Sequence, residues 1–402
     1  MSSQRELFFR HLALPSRKPL ALEIERAEGI YLYDRYGKRY IDLVSGIAVS
    51  NIGHRHPRVI KAVEEQLQKY MHLMVYGKYI QTPQVRLAAR LAGLLPDNLQ
   101  SCFFVNSGSE AIEGAMKLAK RYTGRAEIIA FQNAYHGGTQ GALSILGHEA
   151  LKNAFRPLLP DIRLLNYNSF SDLENISQRT ACIVVEPIQA EAGIILPEPG
   201  FLQVLRKKCH QAGALLVYDE IQMAFGRTGK LFCFEHEQAV PDILCLAKSM
   251  GGGMPIGAFI SSKEIMNSLA CDPELGHITT FGGHPVCCAA ALASLEVLTS
   301  GDLIPQAHAK GELFYQLLKD HPLIREIRFR GLMMAVEFEN EETANRVVHL
   351  LAENGLVVDQ FLFRPSAFRI APPLIIQEDQ IREVCDVILK VLDNFLSKEG
   401  NI

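Results

Sequence analysis

Hydrophobic residues along this chain fall into two patterns. Some runs are short and apolar throughout; in longer segments apolar positions recur at helical spacing. Leu215-Leu216-Val217-Tyr218 is of the first kind and reads as a strand buried on both faces of a parallel sheet. Cys102-Phe103-Phe104-Val105, Cys182-Ile183-Val184-Val185 and residues 243–247 read the same way, as does the strand over 127–131 after its leading Glu127. From about Ser101 the order strand, loop, helix repeats, and the helix after Val105 runs through Met116 and Leu118 to Tyr122. Four of the runs, ending at Val105, Phe131, Val185 and Tyr218, pass into polar loops. This predicts an α/β fold: a mostly parallel, doubly wound sheet whose strand ends build one crevice from several segments.

The two ends of the chain read differently. Ile30-Tyr31-Leu32-Tyr33-Asp34 alternates before a turn at Tyr36-Gly37-Lys38, so the first fifty residues predict a short β-rich segment. A small-residue loop over 45–54 and a helix opened by Pro57 follow; His54 and His56 are too close to share a helix face and read as loop residues. Beyond Pro322 the order is strand (324–329), strand (333–338), helix (341–353), strand, helix (377–396). This C-terminal unit and the first fifty residues predict a smaller α+β domain. The expected division is 1–50, a large domain over 51–299, and 300–402.

Asp219 closes one core strand and Lys248 follows another, so both are expected in the crevice outside the strand ends. A carboxylate to pair with a pyridinium nitrogen and a lysine to form a Schiff base is what pyridoxal 5′-phosphate chemistry requires. Asn106-Ser107-Gly108-Ser109-Glu110, between a strand and a helix, suits a phosphate, because backbone N–H groups, hydroxyls and the helix dipole favour an anion there. Plain N-capping by Ser107 or Ser109 explains the same residues, and Lys248 tips the balance toward the anion. Tyr135, on a strand-end loop, either stacks on a planar ring or merely packs. Glu191 by itself reads as a solvated loop acid. Arg369, between apolar residues and ahead of Pro372-Pro373, is a carboxylate clamp or a snorkelling surface arginine. The glycines at 251–257 precede a strand and open no helix, so they are neither a dinucleotide fingerprint nor a P-loop.

Composition removes several classes. With 41 basic and 44 acidic side chains the net charge is −3, so no global field favours nucleic acid or a membrane surface. No apolar run approaches the roughly 18 residues of a membrane span, and the first twenty residues lack a secretory apolar region. Nine cysteines without a C-x-x-C argue for a reducing compartment, and the expected location is the cytoplasm. The thirteen histidines show no ligand spacing, so no metal site is expected.

Taken together, these segments resemble the class-III pyridoxal-phosphate aminotransferases, the acetylornithine and ornithine aminotransferase group. The resemblance covers 46–56, 106–124, 131–137, 186–193, 219–236, 241–258, 279–290, 330–333 and 369–376. It implies the type-I PLP-dependent transferase fold and ping-pong transfer of an (ω-)amino group to a 2-oxo acid, 2-oxoglutarate or pyruvate. It assigns Lys248 to the Schiff base and then to proton transfer, and Asp219 to the ring nitrogen. It places Gln222 near the ring hydroxyl, and Ile221 and Tyr135 on the two ring faces. His136 and Glu186 follow as cofactor-site residues, and Ser107, Gly108 and Ser109 as the phosphate loop. Thr280 matches a threonine that reaches the phosphate from the neighbouring subunit, which implies a homodimer. Arg369 matches a carboxylate-binding arginine, and Glu191 the glutamate that pairs with it until a dicarboxylate enters.

The chain departs from the family pattern at three places. Gly138 stands where the acetylornithine, ornithine and 4-aminobutyrate enzymes usually carry an arginine. Ala190 and Ala192 replace glycines usual in acetylornithine enzymes. Phe361, Leu362, Phe363 and Arg364 form a bulky patch, with Arg364 a candidate to replace the absent arginine. Rival readings are a mutase, epimerase or decarboxylase on the same fold, and a non-catalytic PLP-binding protein. The Phe225-Gly226-Arg227-Thr228-Gly229 stretch argues against the mutases, and Lys248 against the latter.

Overall fold

The computed structural model describes residues 3–399. Near the amino end, β1 (Ile24–Glu28), β2 (Tyr31–Asp34) and β3 (Arg39–Asp42) form an antiparallel meander. A helix, Gln4–His11, precedes it and was not expected from the pattern, because it buries none of its residues and so carries no apolar stripe. Its signal is local: Ser3 caps the Glu6 N–H and the Glu6 carboxylate accepts the Ser3 N–H.

The central sheet holds β4 (Ser101–Val105), β5 (Glu127–Phe131), β6 (Ile162–Leu165), β7 (Thr180–Val185), β8 (Leu215–Asp219), β9 (Ile243–Leu246) and β10 (Gly257–Ser261). Their spatial order is β4-β10-β9-β8-β7-β5-β6, and β10 alone runs against its neighbours. The carboxyl ends of β4, β5, β7, β8 and β9 therefore share one edge with the amino end of β10. Successive residues of these strands enter different cores. Ile129, Ile183, Leu216 and Leu244 join one apolar cluster, while Ile128, Cys182, Val217 and Ile243 join another beneath helix Gly108–Thr123. With both faces covered, side-chain alternation leaves no polar position, which is why these strands read as unbroken apolar runs. The edge strand β6 escaped that reading because Arg163 interrupts it and is exposed.

Toward the carboxyl end, β11 (Glu326–Arg330), β12 (Met333–Glu337), β13 (Leu356–Val357), β14 (Asp359–Gln360) and β15 (Ala367–Ile370) follow. Four of them form an antiparallel sheet in the order β11-β12-β15-β14. The fifth, β13, pairs in parallel with β3, setting Leu356 opposite Ile41 and joining the two chain ends. Among the described residues no single helix is long and apolar enough to cross a membrane. Helices Pro285–Thr299 and Leu303–Leu318 pass that test only as a pair bent by 68°.

Candidate active site

The shared strand edge surrounds a cavity of about 400 Å³. Asp219, the last residue of β8, is buried and accepts the Ile221 N–H at Oδ1 (3.0 Å). His136 Nδ1 lies 2.8 Å from Asp219 Oδ2, while His136 Nε2 is buried without a partner. With the carboxylate ionised, the proton sits on Nδ1 and His136 donates. Lys248 leaves β9 in the left-handed region, with φ 48°, a conformation that costs a non-glycine residue about 1–3 kcal/mol. Such strain clusters where a side chain must be aimed. Burial holds the Lys248 ammonium below its ordinary range; Glu191 and Asp219 oppose the shift, and Arg369 reinforces it.

On the opposite flank, Ser107 caps helix Gly108–Thr123 by accepting the Glu110 N–H (3.2 Å), and Ser109 Oγ accepts the Gly138 N–H (3.1 Å). Capping and anion binding are compatible, since each hydroxyl keeps its own proton to donate. The loop after β5 lies directly on this turn: a Cβ on Gly137, at φ 131°, would sit 2.0 Å from Ser109 Oγ. That loop presents Tyr135 and His136 to the cavity. Glu186, after β7, accepts the Tyr135 N–H at one oxygen (3.0 Å) and the Ala190 N–H at the other (2.9 Å). Burial, against the pull of His136, raises its carboxyl to about 7.

Arg369, in β15, is 1% exposed, so it is not a snorkelling surface arginine. Its Nη2 donates to both Glu191 oxygens at 2.8 Å and its Nη1 to Gln222 Oε1 at 2.9 Å; the guanidinium lies 4.6 Å over the Phe361 ring. Glu191 is 4% exposed, not a solvated acid, and also accepts the Leu362 N–H (3.1 Å) and the Gln222 amide (3.3 Å). Burial would raise its carboxyl, but Arg369, Leu362 and Lys248 outweigh that and hold it below the ordinary range.

Ser107, Gly108, Ser109, Tyr135, His136, Glu186, Asp219, Ile221, Gln222 and Lys248 all line the cavity. Glu191 and Arg369 meet it through Gln222. Two predicted residues lie elsewhere: Thr280 is exposed on a bend outside the cavity, and Arg364 extends to Glu337. A Cβ on Gly138 would meet open space. Asn106, at the head of the predicted phosphate turn, lines the cavity too; sequence reasoning missed Val49 and the turn Met254-Pro255-Ile256, which also line it. Val49 follows a left-handed turn, Ser45–Ala48, whose four residues have φ between 52° and 63° and whose small residues were read only as a loop. It also missed the role of Arg227. Fully buried, Arg227 donates to Asn51 Oδ1, to Leu332 O (2.9 Å) and to Pro372 O (2.5 Å), tying the loop after that turn to the C-terminal unit.

Comparison with known proteins gives the family and the fold. The family described as Aminotransferase class-III matches residues 13–392. An acetylornithine aminotransferase from Methanopyrus kandleri is 40% identical over 94% of this chain and 96% of its own length. A transaminase from the marine bacterium Virgibacillus superposes with a TM-score of 0.93 at 27% identity, covering 98% of this chain and 99% of the other. The ornithine aminotransferase of Toxoplasma gondii does so with a TM-score of 0.90 at 32% identity, covering 98% and 96%.

Proposed function

The chain belongs to the class-III aminotransferases and uses pyridoxal 5′-phosphate, and on that premise we propose that it takes a terminal (ω-)amino group. The donor is N-acetylornithine, ornithine or a related ω-amino compound, and the acceptor is 2-oxoglutarate or pyruvate. When bound, the cofactor supplies an aldehyde for the amine and a ring that withdraws electrons from the reacting carbon. The residues present fit it. The serine turn at a helix amino end suits the phosphate, and Asp219 suits a protonated ring nitrogen. Asp219 is held in place by the Ile221 N–H and by His136. Tyr135 and Ile221, which line the cavity, would flank the ring, and Gln222 would face its hydroxyl. Lys248 Nζ, kept below its usual protonation range, would hold the aldehyde and is placed to carry a proton at the reacting carbon.

The observation that carries the choice of substrates is the buried, doubly hydrogen-bonded Glu191–Arg369 pair beside Lys248. While the pair is closed, the pocket end is neutral and takes an amine-bearing chain. A 2-oxo acid exchanges its carboxylate for Glu191 on Arg369, so one pocket serves both half-reactions. With Gly138 in place of an arginine, a second carboxylate lacks one anchor there.

The division at 50/51 and 299/300 is retained, supported by the β3–β13 pairing. A homodimer, with Thr280 reaching the second copy's phosphate, is supported by an exposed apolar surface around that residue. Ile278 and Phe281, exposed to either side of Thr280, and Met71, next to the His72 that packs on Phe281, would be covered there. Nine free cysteines support a cytoplasmic location. A mutase, epimerase, decarboxylase or non-catalytic binder is not favoured, since the relatives described above are aminotransferases.

The test is the visible absorbance of the purified, cofactor-loaded protein under a panel of amines. The panel holds N-acetylornithine, ornithine, lysine, 4-aminobutyrate, β-alanine, diaminopelargonate and simple diamines, each followed by pyruvate or 2-oxoglutarate. One amine should bleach the band and one 2-oxo acid restore it. A band that no ω-amine bleaches overturns the substrate reading.

A further inference from the structure

The loop that carries Glu191 is fastened to the C-terminal sheet by two arginines, Arg328 and Arg364, which share one buried carboxylate, Glu337, at the end of β12. On one side, Arg364 donates Nε to Glu337 Oε1 at 2.7 Å, with Nη2 2.5 Å from the same oxygen. Arg364 directly follows the two residues whose backbone grips Glu191. The Leu362 N–H donates to the Glu191 carboxylate and the Phe363 N–H to the Glu191 carbonyl, each at 3.1 Å. On the other side, Arg328 Nη1 lies 2.6 Å from Glu337 Oε2, while its Nε donates to Gly193 O at 2.7 Å. Gly193, at φ 94°, makes this closeness feasible: a Cβ there would lie 2.9 Å from Arg328 Nη2 and 3.0 Å from Arg364 Cγ. The Phe363 ring stacks on His148, 5.0 Å between centroids, which steadies the segment from a third direction. None of Glu337, Arg328 and Arg364 lines the cavity.

We infer that Glu337, Arg328 and Arg364 form a latch that holds Glu191 closed over Arg369 and so sets the balance between 2-oxo acids and amine-ended donors. The inference rests on the proposed reading of Glu191 and Arg369 as a gate. The three are positioning residues, acting through the loop 190–194 and the segment 361–364. Opening the gate breaks the Leu362 bond as well as the two from Arg369, so anchoring Leu362 more firmly disfavours the open form. Direct binding of a second substrate carboxylate by Arg364 is the competing assignment, and the two differ in sign.

The test uses the full-length, cofactor-loaded enzyme as Arg364→Ala, with Glu337→Gln as a second variant. Arg364 is half-exposed, so its removal spares the core. If the latch exists, Arg364→Ala lowers the KM for both 2-oxoglutarate and pyruvate by about two- to fivefold, the worth of a half-exposed arginine–carboxylate pair. The donor KM does not fall with them. Amides of 190–194 and 361–364 exchange hydrogen faster in both variants, with and without cofactor. A higher KM for 2-oxoglutarate alone, with pyruvate unmoved, overturns the latch in favour of direct binding. Parallel shifts for donor and acceptor, or unchanged exchange, overturn it too. If the native enzyme takes no 2-oxo acid, the proposed function fails, and the exchange measurement still decides the latch.

Discussion

Replacing Glu191 by alanine leaves the Arg369 guanidinium in a site that is 1% exposed, held by the Gln222 amide oxygen and the Phe361 ring. Its Nε has no partner to begin with. Removing one member of a buried ion pair costs about 3–5 kcal/mol, because the other charge stays desolvated. The adjoining cavity lets water reach the vacated space, so the lower end, about 3 kcal/mol, is expected. At about 2.1 cal/mol/K of unfolding entropy per residue, a chain of 402 residues loses roughly 4 °C in apparent Tm. A carboxylate that enters the gap repairs the loss. At a hundred times its Kd, 2-oxoglutarate restores about 2.7 kcal/mol by mass action. In the native protein the same ligand must first displace Glu191, so it stabilises less. Thermal unfolding of both proteins, with and without 2-oxoglutarate and without added amine, measures this directly. A variant as stable as the native protein, or one that 2-oxoglutarate stabilises no more than the native, refutes the gate.

Three further outcomes follow from the same geometry. Lys248→Ala should lower turnover by at least about 10²–10⁴-fold, the usual worth of a positioned proton carrier; steady-state rates against the best donor check this. Asp219→Asn should lower kcat about 10²–10³-fold through lost charge stabilisation, leaving one amide oxygen where two carboxylate oxygens now serve Ile221 and His136. A normal rate in that variant would remove Asp219 from the ring nitrogen. Stability should also depend on pH through two buried acids: burial raises Glu220 to about 8 and Glu186 to about 7. Between the ordinary carboxylate range and those values the folded protein binds more protons than the unfolded chain, so stability falls as pH rises across that window. Glu220→Gln, whose amide oxygen still accepts a backbone N–H where Glu220 accepts those of Cys233 and Phe234, should flatten the fall in Tm between about pH 5 and pH 8. An unchanged slope would discount Glu220.

Much of the fold and of the cavity's lining was legible in the sequence, for a local reason. A strand covered on both faces has no polar position to hide it, so Leu215-Leu216-Val217-Tyr218 announces itself and places Asp219 at its end. Lys248 and the Ser107-Gly108-Ser109 turn follow from the same logic, each coming directly after a strand. What the local pattern could not supply was burial and partnership across long separations. Glu191 and Arg369, 178 residues apart, read locally as a solvated acid and as either a clamp or a surface arginine. Only the meeting of the β7 loop with β15 makes them a buried pair. Arg364 is charged and next to the site in sequence, yet tertiary structure turns it to Glu337. The helix Gln4–His11 and strand β6 went unread because neither carries a full apolar face. The sequence by itself thus determined where the sheet runs and which side chains its ends deliver, since those depend on neighbours along the chain. The tertiary structure alone decided which charges are desolvated and what each one holds, because desolvation and ion pairing depend on neighbours in space.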